Sequence, residues 1–298
     1  MPQTIQIVRT IAETRAVLRE LRAKGRSIGL VPTMGALHEG HLSLVRAARA
    51  ACEHPSTQRQ RAGDPANAVI VSIFVNPTQF GPNEDFTKYP RTFEADCAAL
   101  EREGVDLILA PSAEEMYPAG ASTFVDVEGV SGRLDGASRP GHFRGVATVV
   151  AKLFNIVAPD KAFFGQQDAA QVAVLRKMVR DMNFPLELVV CPIVRDPDGL
   201  AMSSRNAYLS PAERKQALVL SRALREAERL ARSGVTKSQE LIAAASALNA
   251  TEPQVRVDYL KVVNPDTLED IADTSRGGLV AVAAFVGTTR LIDNVLLL

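Results

Sequence analysis

Ser27-Ile-Gly-Leu-Val-Pro-Thr-Met-Gly-Ala-Leu-His-Glu-Gly-His41, running into Leu42-Ser-Leu-Val-Arg-Ala-Ala-Arg-Ala-Ala51, is the stretch that decides the fold. The apolar segment Ser27–Val31 has the length of one buried strand. Gly35 marks a turn. The Ala/Leu/Arg-rich segment reads as a helix beginning near Gly40. A helix start presents unpaired N–H groups and the positive end of the helix dipole, which suits an anion such as phosphate. His38 and His41 are three apart and share one face there. Their imidazoles can donate hydrogen bonds to phosphate oxygens, and His41 is expected to carry a positive charge when a triphosphate is bound. Metal ligation and an ordinary solvent-facing helix start are the competing readings of His-x-x-His. The zinc-protease spacing His-Glu-x-x-His is not present, and no third ligand of the right kind sits nearby. The absence of G-x-G-x-x-G excludes a dinucleotide fingerprint.

Further strand–turn–helix units follow. Thr10–Ala23 has helical spacing, with Gly25 just past its end. Ala68-Val-Ile-Val-Ser-Ile-Phe-Val75 is a continuous β-branched run that fits a buried parallel strand. Between these, Glu53–Asn67 is polar and longer than the usual helix-to-strand connection, so it reads as a surface insertion. Asn76-Pro-Thr-Gln-Phe80 leaves the strand's carboxyl end, where open α/β sheets bind ligands. Asn76 and Gln79 are therefore candidates to meet a small polar substrate, with plain turn chemistry as the alternative. Phe93–Gly104 reads as helix, Val105–Ala110 as strand, Pro111–Pro118 as loop and Phe124–Val130 as strand. Val146–Val157 reads as a helix opened by Arg139-Pro-Gly-His-Phe-Arg-Gly145. There His142 and Arg144 are either structural or anion-facing.

Asp160–Phe164 is a short strand ending in Gly165-Gln-Gln-Asp168, ahead of a helix over Ala169–Asp181. This is again a ribose- or phosphate-facing arrangement, with Gln171 on the face of Asp168. Leu186–Val194 is a strand and Asp196-Pro-Asp-Gly199 a turn. Met202-Ser-Ser-Arg-Asn206 offers two hydroxyls and a guanidinium, either as a flexible phosphate clamp or as a solvated loop. Ser210-Pro-Ala-Glu213 is a capping box that opens a long helix to Arg232. Thr236–Leu248 is helix, and Val255–Val263, Leu279–Val286 and Leu291–Leu297 are strands. The change from βα alternation to two helices and then strands places a domain boundary near Val194, giving domains 1–193 and 194–298.

The 298 residues suit two domains or one large one, and 46% of them are apolar, enough for a sizeable core. Formal net charge is zero, so nothing electrostatic argues for nucleic acid or an anionic membrane surface. The three cysteines, Cys52, Cys97 and Cys191, include no Cys-x-x-Cys pair, so neither a zinc site nor a disulfide framework is indicated. No signal peptide is apparent, and no apolar run approaches the roughly 20 residues of a membrane span. A soluble cytoplasmic protein is the default.

His38-Glu-Gly-His41 resembles the HIGH motif of the nucleotidylyltransferase and class I aminoacyl-tRNA synthetase superfamily. More narrowly, Pro32–His41 is similar to the signature of the pantoate–β-alanine ligase family. Asn76-Pro-Thr-Gln-Phe80 and Met202-Ser-Ser-Arg-Asn206 resemble that family's pantoate motif and its KMSKS-like loop, in the same order. The resemblance implies a Rossmann-like, mostly parallel α/β domain with a smaller C-terminal α+β domain acting as a lid. It implies ATP-dependent condensation of pantoate with β-alanine through a pantoyl-adenylate, giving pantothenate, AMP and pyrophosphate.

By the same resemblance ATP meets Met34, Gly35, Ala36, Leu37, His38, Glu39, Gly40, His41, Gly165, Gln166, Gln167, Asp168, Val194, Met202, Ser203, Ser204 and Arg205. His38 and His41 are the catalytic pair, with His41 as proton donor. Gln79, Gln171 and Asn76 are expected on substrate. Mg²⁺ is expected on the phosphates, with Asp96 as its protein ligand, and the protein is expected to be a homodimer. One position departs from the family, which has Gly-x-Lys-Asp where this chain has Gln167. Either activity is reduced, or Lys152, Lys161 or Arg144 supplies the charge. A nucleotidylyltransferase on another acid, or a non-catalytic nucleotide-binding paralogue, are the alternatives.

Overall fold

The computed structural model describes residues 5–51, 67–82, 84 and 86–297. The proposed insertion Glu53–Asn67 lies outside the described residues except for Asn67. The chain forms two compact units, one of residues 1–127, 141–165 and 178–191, the other of residues 128–140, 166–177 and 192–298. The second unit thus takes two short segments from the middle of the chain in addition to its C-terminal portion.

The first unit is an α/β layer structure. Its six strands are β1 (Gln6–Val8), β2 (Ser27–Thr33), β3 (Asn67–Ile73), β4 (Leu107–Leu109), β5 (Lys161–Gly165) and β6 (Glu187–Cys191). They are all parallel, in the order β1-β4-β3-β2-β5-β6. Ile28, Leu30 and Val31 of β2 and Val69, Ile70 and Val71 of β3 are fully buried, as strands covered on both faces require. The order reverses between β2 and β5, so their carboxyl ends form the topological switch point at which such sheets bind ligands. α1 (Ile11–Ala23) begins in a capping box of Thr10 and Glu13. α2 (Glu39–Ala50) and α3 (Phe93–Arg102) follow β2 and precede β4. α4 (Ala113–Met116) is a short turn of helix inside the expected loop Pro111–Pro118.

Two features differ from the sequence reading. β1 is an additional strand, only three residues long, which carries no readable periodicity. Conversely, Phe124–Val130 is not a strand. The Val125 amide donates to the Thr148 hydroxyl (2.9 Å) and the Arg144 guanidinium lies 4.2 Å over the Phe124 ring, so a helix side chain, not a neighbouring strand, pairs with this segment.

The second unit begins with α5 (Asp135–Ser138). After α6 (His142–Val157) of the first unit and α7 (Ala169–Asp181), it continues as α8 (Pro211–Arg232), α9 (Ser238–Asn249), β7 (Val255–Val263), β8 (Gly278–Val286) and β9 (Thr289–Leu297). The three strands form an antiparallel sheet in that order. Ser210 and Glu213 make the predicted capping box, with Pro211 at the first helical position. Val219, Leu220, Ala223 and Leu224 of α8 pack on Val280, Val282 and Ala284 of β8, forming the unit's core. Among the described residues no helix is long and apolar enough to cross a membrane.

Candidate active site

The segment after β2 is held from beneath. The Thr33 hydroxyl donates to the Ser72 carbonyl (2.8 Å) and accepts from the Gly35 amide (3.2 Å). Gly35 has φ +80°, and a Cβ there would lie 3.0 Å from Asp96 Oδ2 and 3.2 Å from the Ile73 side chain, so only glycine fits. Asp96 is 3% exposed. Its carboxylate accepts from the Ala36 amide (2.9 Å), the Leu37 amide (2.9 Å) and the Thr92 hydroxyl (3.1 Å). The expected Mg²⁺ ligand is therefore committed to shaping the 34–37 turn. No group of three or more potential ligating side chains that could hold a metal ion exists among the described residues.

His38 is the N-cap of α2. Its Nδ1 accepts from the Gly40 amide (3.2 Å), and its own amide donates to His41 Nδ1 (3.3 Å). This is a capping box made of two imidazoles. In both rings Nδ1 stands in the acceptor position, so Nε2 is the nitrogen left to carry a proton. The rings stand 4.1 Å apart at 48°. Loss of solvation, then the neighbouring His38, pushes the His41 pKa down to about 3. In the protein alone a positive charge on His41 is disfavoured, because protonating Nδ1 would break the cap in a poorly solvated setting. The unpaired amides expected at this helix start are also largely spoken for. Those of Ala36, Leu37, His38 and Gly40 already have acceptors within the protein. The Glu39 carboxylate is paired with Arg46, leaving only its backbone for a ligand.

Asn76 is 1% exposed and is not a substrate contact. Its Nδ2 donates to Gln79 Oε1 (3.1 Å) and the Gly145 carbonyl (3.2 Å). Its Oδ1 accepts from the Tyr117 hydroxyl (2.9 Å), the Thr78 hydroxyl (2.9 Å) and the Thr78 amide (3.4 Å). An amide side chain has no capacity left after that. Asn76 therefore aims Gln79, whose Nε2 donates to the Met34 sulfur (3.0 Å). α6 completes the arrangement. His142 Nδ1 lies 2.8 Å from the Gln79 carbonyl and so donates to it. At Gly145 a Cβ would sit 2.3 Å from the Thr78 carbonyl oxygen. His142 and Gly145 thus clasp the backbone of Gln79. Tyr117, Thr78 and Gly145 were not singled out from sequence, and only the repeated glycines of Gly141–Gly145 hinted at a close approach.

The remaining candidates belong to the second unit, apart from Gly165 at the end of β5. Residues Gln166–Asp168 form a tight 3₁₀ turn ahead of α7. Gln171 stands three residues past Asp168 in the first turn of that helix and is half-buried. The Asp168 carboxyl is pushed up to about 6 by loss of solvation and by Asp135, against the pull of Arg205 and Arg139, although the residue itself stays open to solvent. The Val194 carbonyl accepts from the Met202 amide (3.0 Å), closing a small hairpin through the Asp196–Gly199 turn. The Ser203 hydroxyl caps a 3₁₀ turn over Ser204–Tyr208 by accepting from the Arg205 amide (3.3 Å), and Asn206 ties that turn to the Ala201 carbonyl (3.0 Å). The segment expected to clamp the triphosphate is thus capped by its own hydroxyl. The cations proposed to replace a lysine at Gln167 have other partners. Lys161 pairs with Glu187 (3.0 Å), Arg144 stacks on Phe124, and Lys152 lies 5.6 Å over the Tyr117 ring.

Comparison with known proteins bears on this arrangement. The family model described as pantoate-beta-alanine ligase matches residues 6–296. A pantothenate synthetase of Acidobacterium capsulatum is 66% identical over 97% of this chain and 95% of its own. Another, of Koribacter versatilis, is 59% identical over 98% and 96%. Among solved structures, pantothenate synthetase from Thermus thermophilus superposes with a TM-score of 0.88 at 47% identity, covering 98% of this chain and 99% of its own. Pantoate-beta-alanine ligase from Francisella tularensis, solved with beta-gamma ATP and beta-alanine, gives 0.77 at 32% identity over 98% and 97%. With its parallel sheet, its imidazole-capped helix and a match along almost its whole length, this chain belongs to the pantoate–β-alanine ligase family.

Proposed function

We propose that this protein condenses pantoate with β-alanine, consuming ATP and releasing AMP and pyrophosphate. The single observation that carries the mechanism is the imidazole pair that caps the start of α2, at the carboxyl end of β2, in a member of this ligase family.

A carboxylate is a poor acyl donor. In the proposed reaction a pantoate carboxylate oxygen attacks the α-phosphorus of ATP and pyrophosphate leaves. The β-alanine amine then attacks the carbonyl of the pantoyl-adenylate, and AMP leaves with its phosphate oxygen. Little covalent chemistry is asked of the protein, which supplies positioning and charge stabilisation. His38 and His41 donate hydrogen bonds to phosphate oxygens without transferring a proton. Gln79, held by Asn76 and His142, orients pantoate, a role that the family resemblance also gives Gln171. Neutral amides satisfy its hydroxyls without neutralising the nucleophile. Gln166–Asp168 meets ribose and phosphates, the Val194 backbone meets adenine, and Met202–Arg205 meets the triphosphate. Mg²⁺ would be held by substrate phosphates and water rather than by an all-protein cage, and would supply charge stabilisation there. Family membership also supports a cytoplasmic homodimer.

The test is exchange of labelled pyrophosphate into ATP with Mg²⁺ and without β-alanine. Exchange that requires pantoate supports the reading. Exchange without pantoate points to a nucleotidylyltransferase on another acid. ATP binding with no exchange, the outcome that Gln167 makes worth testing, points to a non-catalytic paralogue.

A further inference from the structure

β9 is apolar along Leu291–Leu297 except for Asp293 and Asn294, adjacent residues that are 4% and 3% exposed. Each holds a different segment of the second unit. Asp293 makes a bidentate pair with Arg195 (2.6 and 2.9 Å) and accepts from the Asn294 amide (2.8 Å). Asn294 spends its whole side chain on one turn. Its Nδ2 donates to the carbonyls of Gln166 (2.9 Å) and Gln167 (3.0 Å), and its Oδ1 accepts from Gln166 Nε2 (3.0 Å). Burying an amide is costly unless it is paired, and here both donors and the acceptor are used, so side chain and turn each have one favoured arrangement. The residue ahead of this 3₁₀ turn is Gly165, which has no side chain with which to cap it. A residue more than 120 positions away in sequence orders it instead.

We propose that Asn294 is a positioning residue for the nucleotide, acting through the Gln166–Asp168 turn that it binds at three points. The proposal rests on the reading that this turn meets ATP. It predicts that Asn294→Asp, which keeps the shape but removes both donors, raises KM for ATP in pantoate-dependent pyrophosphate exchange. The expected rise is about ten-fold, the equivalent of one net hydrogen bond. KM for β-alanine in the complete reaction stays unchanged. Asn294→Ser, which restores one donor, falls between the two and carries the test if the aspartate variant does not fold. Val282→Ala in β8 serves as a control that loosens the same core without touching the turn, and it leaves KM for ATP unchanged.

Asp168→Ala is measured in parallel. If it too raises KM for ATP, the turn is at the nucleotide, and an unaltered KM in both Asn294 variants then overturns the positioning role alone. If Asp168→Ala has no effect on KM, the turn does not meet ATP and the proposal falls with that reading. Equal KM increases in Val282→Ala and Asn294→Asp also overturn it, because general loosening then accounts for the effect.

Discussion

Replacing Gly145 by alanine adds one methyl group where α6 crosses the Pro77–Gln79 turn. The new Cβ would lie 2.3 Å from the Thr78 carbonyl oxygen, 2.6 Å from its carbon and 2.7 Å from Gln79 Cα. All three are backbone atoms, so no rotamer change relieves the contact. Ordinary van der Waals separation begins near 3.4 Å, so helix and turn must part by about 1 Å. That movement stretches the His142–Gln79 bond (2.8 Å) and the Asn76–Gly145 bond (3.2 Å), the two links that aim Gln79. Alanine gains roughly 1 kcal/mol of helix propensity over glycine. Overpacking against backbone costs about 1–3 kcal/mol, and each weakened hydrogen bond adds roughly 1 kcal/mol. The net is a loss of about 2–4 kcal/mol, which thermal denaturation reads as a fall in Tm of about 2–4 °C per kcal/mol. The functional effect is larger, because a displacement of about 1 Å in a positioning group costs on the order of 100-fold in rate. Pyrophosphate exchange at varied pantoate should show that loss in kcat/KM for pantoate, with KM for ATP nearly unchanged. A Gly145→Ala protein with wild-type Tm and wild-type pantoate kinetics would refute the claim that this crossing sets Gln79.

Asp96→Asn would turn an amide N–H₂ or an uncharged oxygen toward the Ala36 and Leu37 amides, costing about 1–3 kcal/mol of stability and weakening ATP binding, while the Mg²⁺ dependence of exchange stays as in the wild type. A changed Mg²⁺ requirement would restore Asp96 as a metal ligand. His41 has a folded pKa of about 3 against an ordinary 6.5, so its contribution to stability is complete above pH 6.5 and declines as pH falls from there toward 3. His41→Gln, which retains a donor near Nε2, should flatten that part of the Tm-versus-pH curve and keep more exchange activity than His41→Ala. An activity limb near pH 6.5 that disappears in His41→Gln would instead mark His41 as a proton donor. Gln167→Lys should raise the exchange rate about ten-fold by placing a cation against the leaving pyrophosphate, and an unchanged rate would show that the charge is supplied elsewhere.

The run from Ser27 to Ala51 determined a great deal by itself. Strand, turn and helix follow from local apolar length and composition, and their repetition along the chain determined a parallel α/β sheet. Motifs that sit in one continuous segment, such as His38–His41 or Ser210–Glu213, were legible because capping and turn chemistry act over three or four residues. The sequence did not determine which of the polar residues face a ligand. Asn76 and Asp96 have the composition of site residues, yet both are buried and spent on backbone and neighbouring side chains of the first unit. Their partners, at Gly145 and at Ala36 and Leu37, lie tens of residues away, and no local spacing encodes that. His41 likewise reads as an ordinary imidazole, and only its folded surroundings, burial first and His38 second, push its pKa down. Asn294 left a faint trace, a polar pair interrupting an apolar strand, but its meaning required the turn it binds from the middle of the chain. Hydrophobic pattern and capping are local and survive in one dimension. The satisfaction of buried polar groups is a property of three-dimensional neighbours, so only the tertiary structure decided which candidate side chains are spent on internal hydrogen bonds.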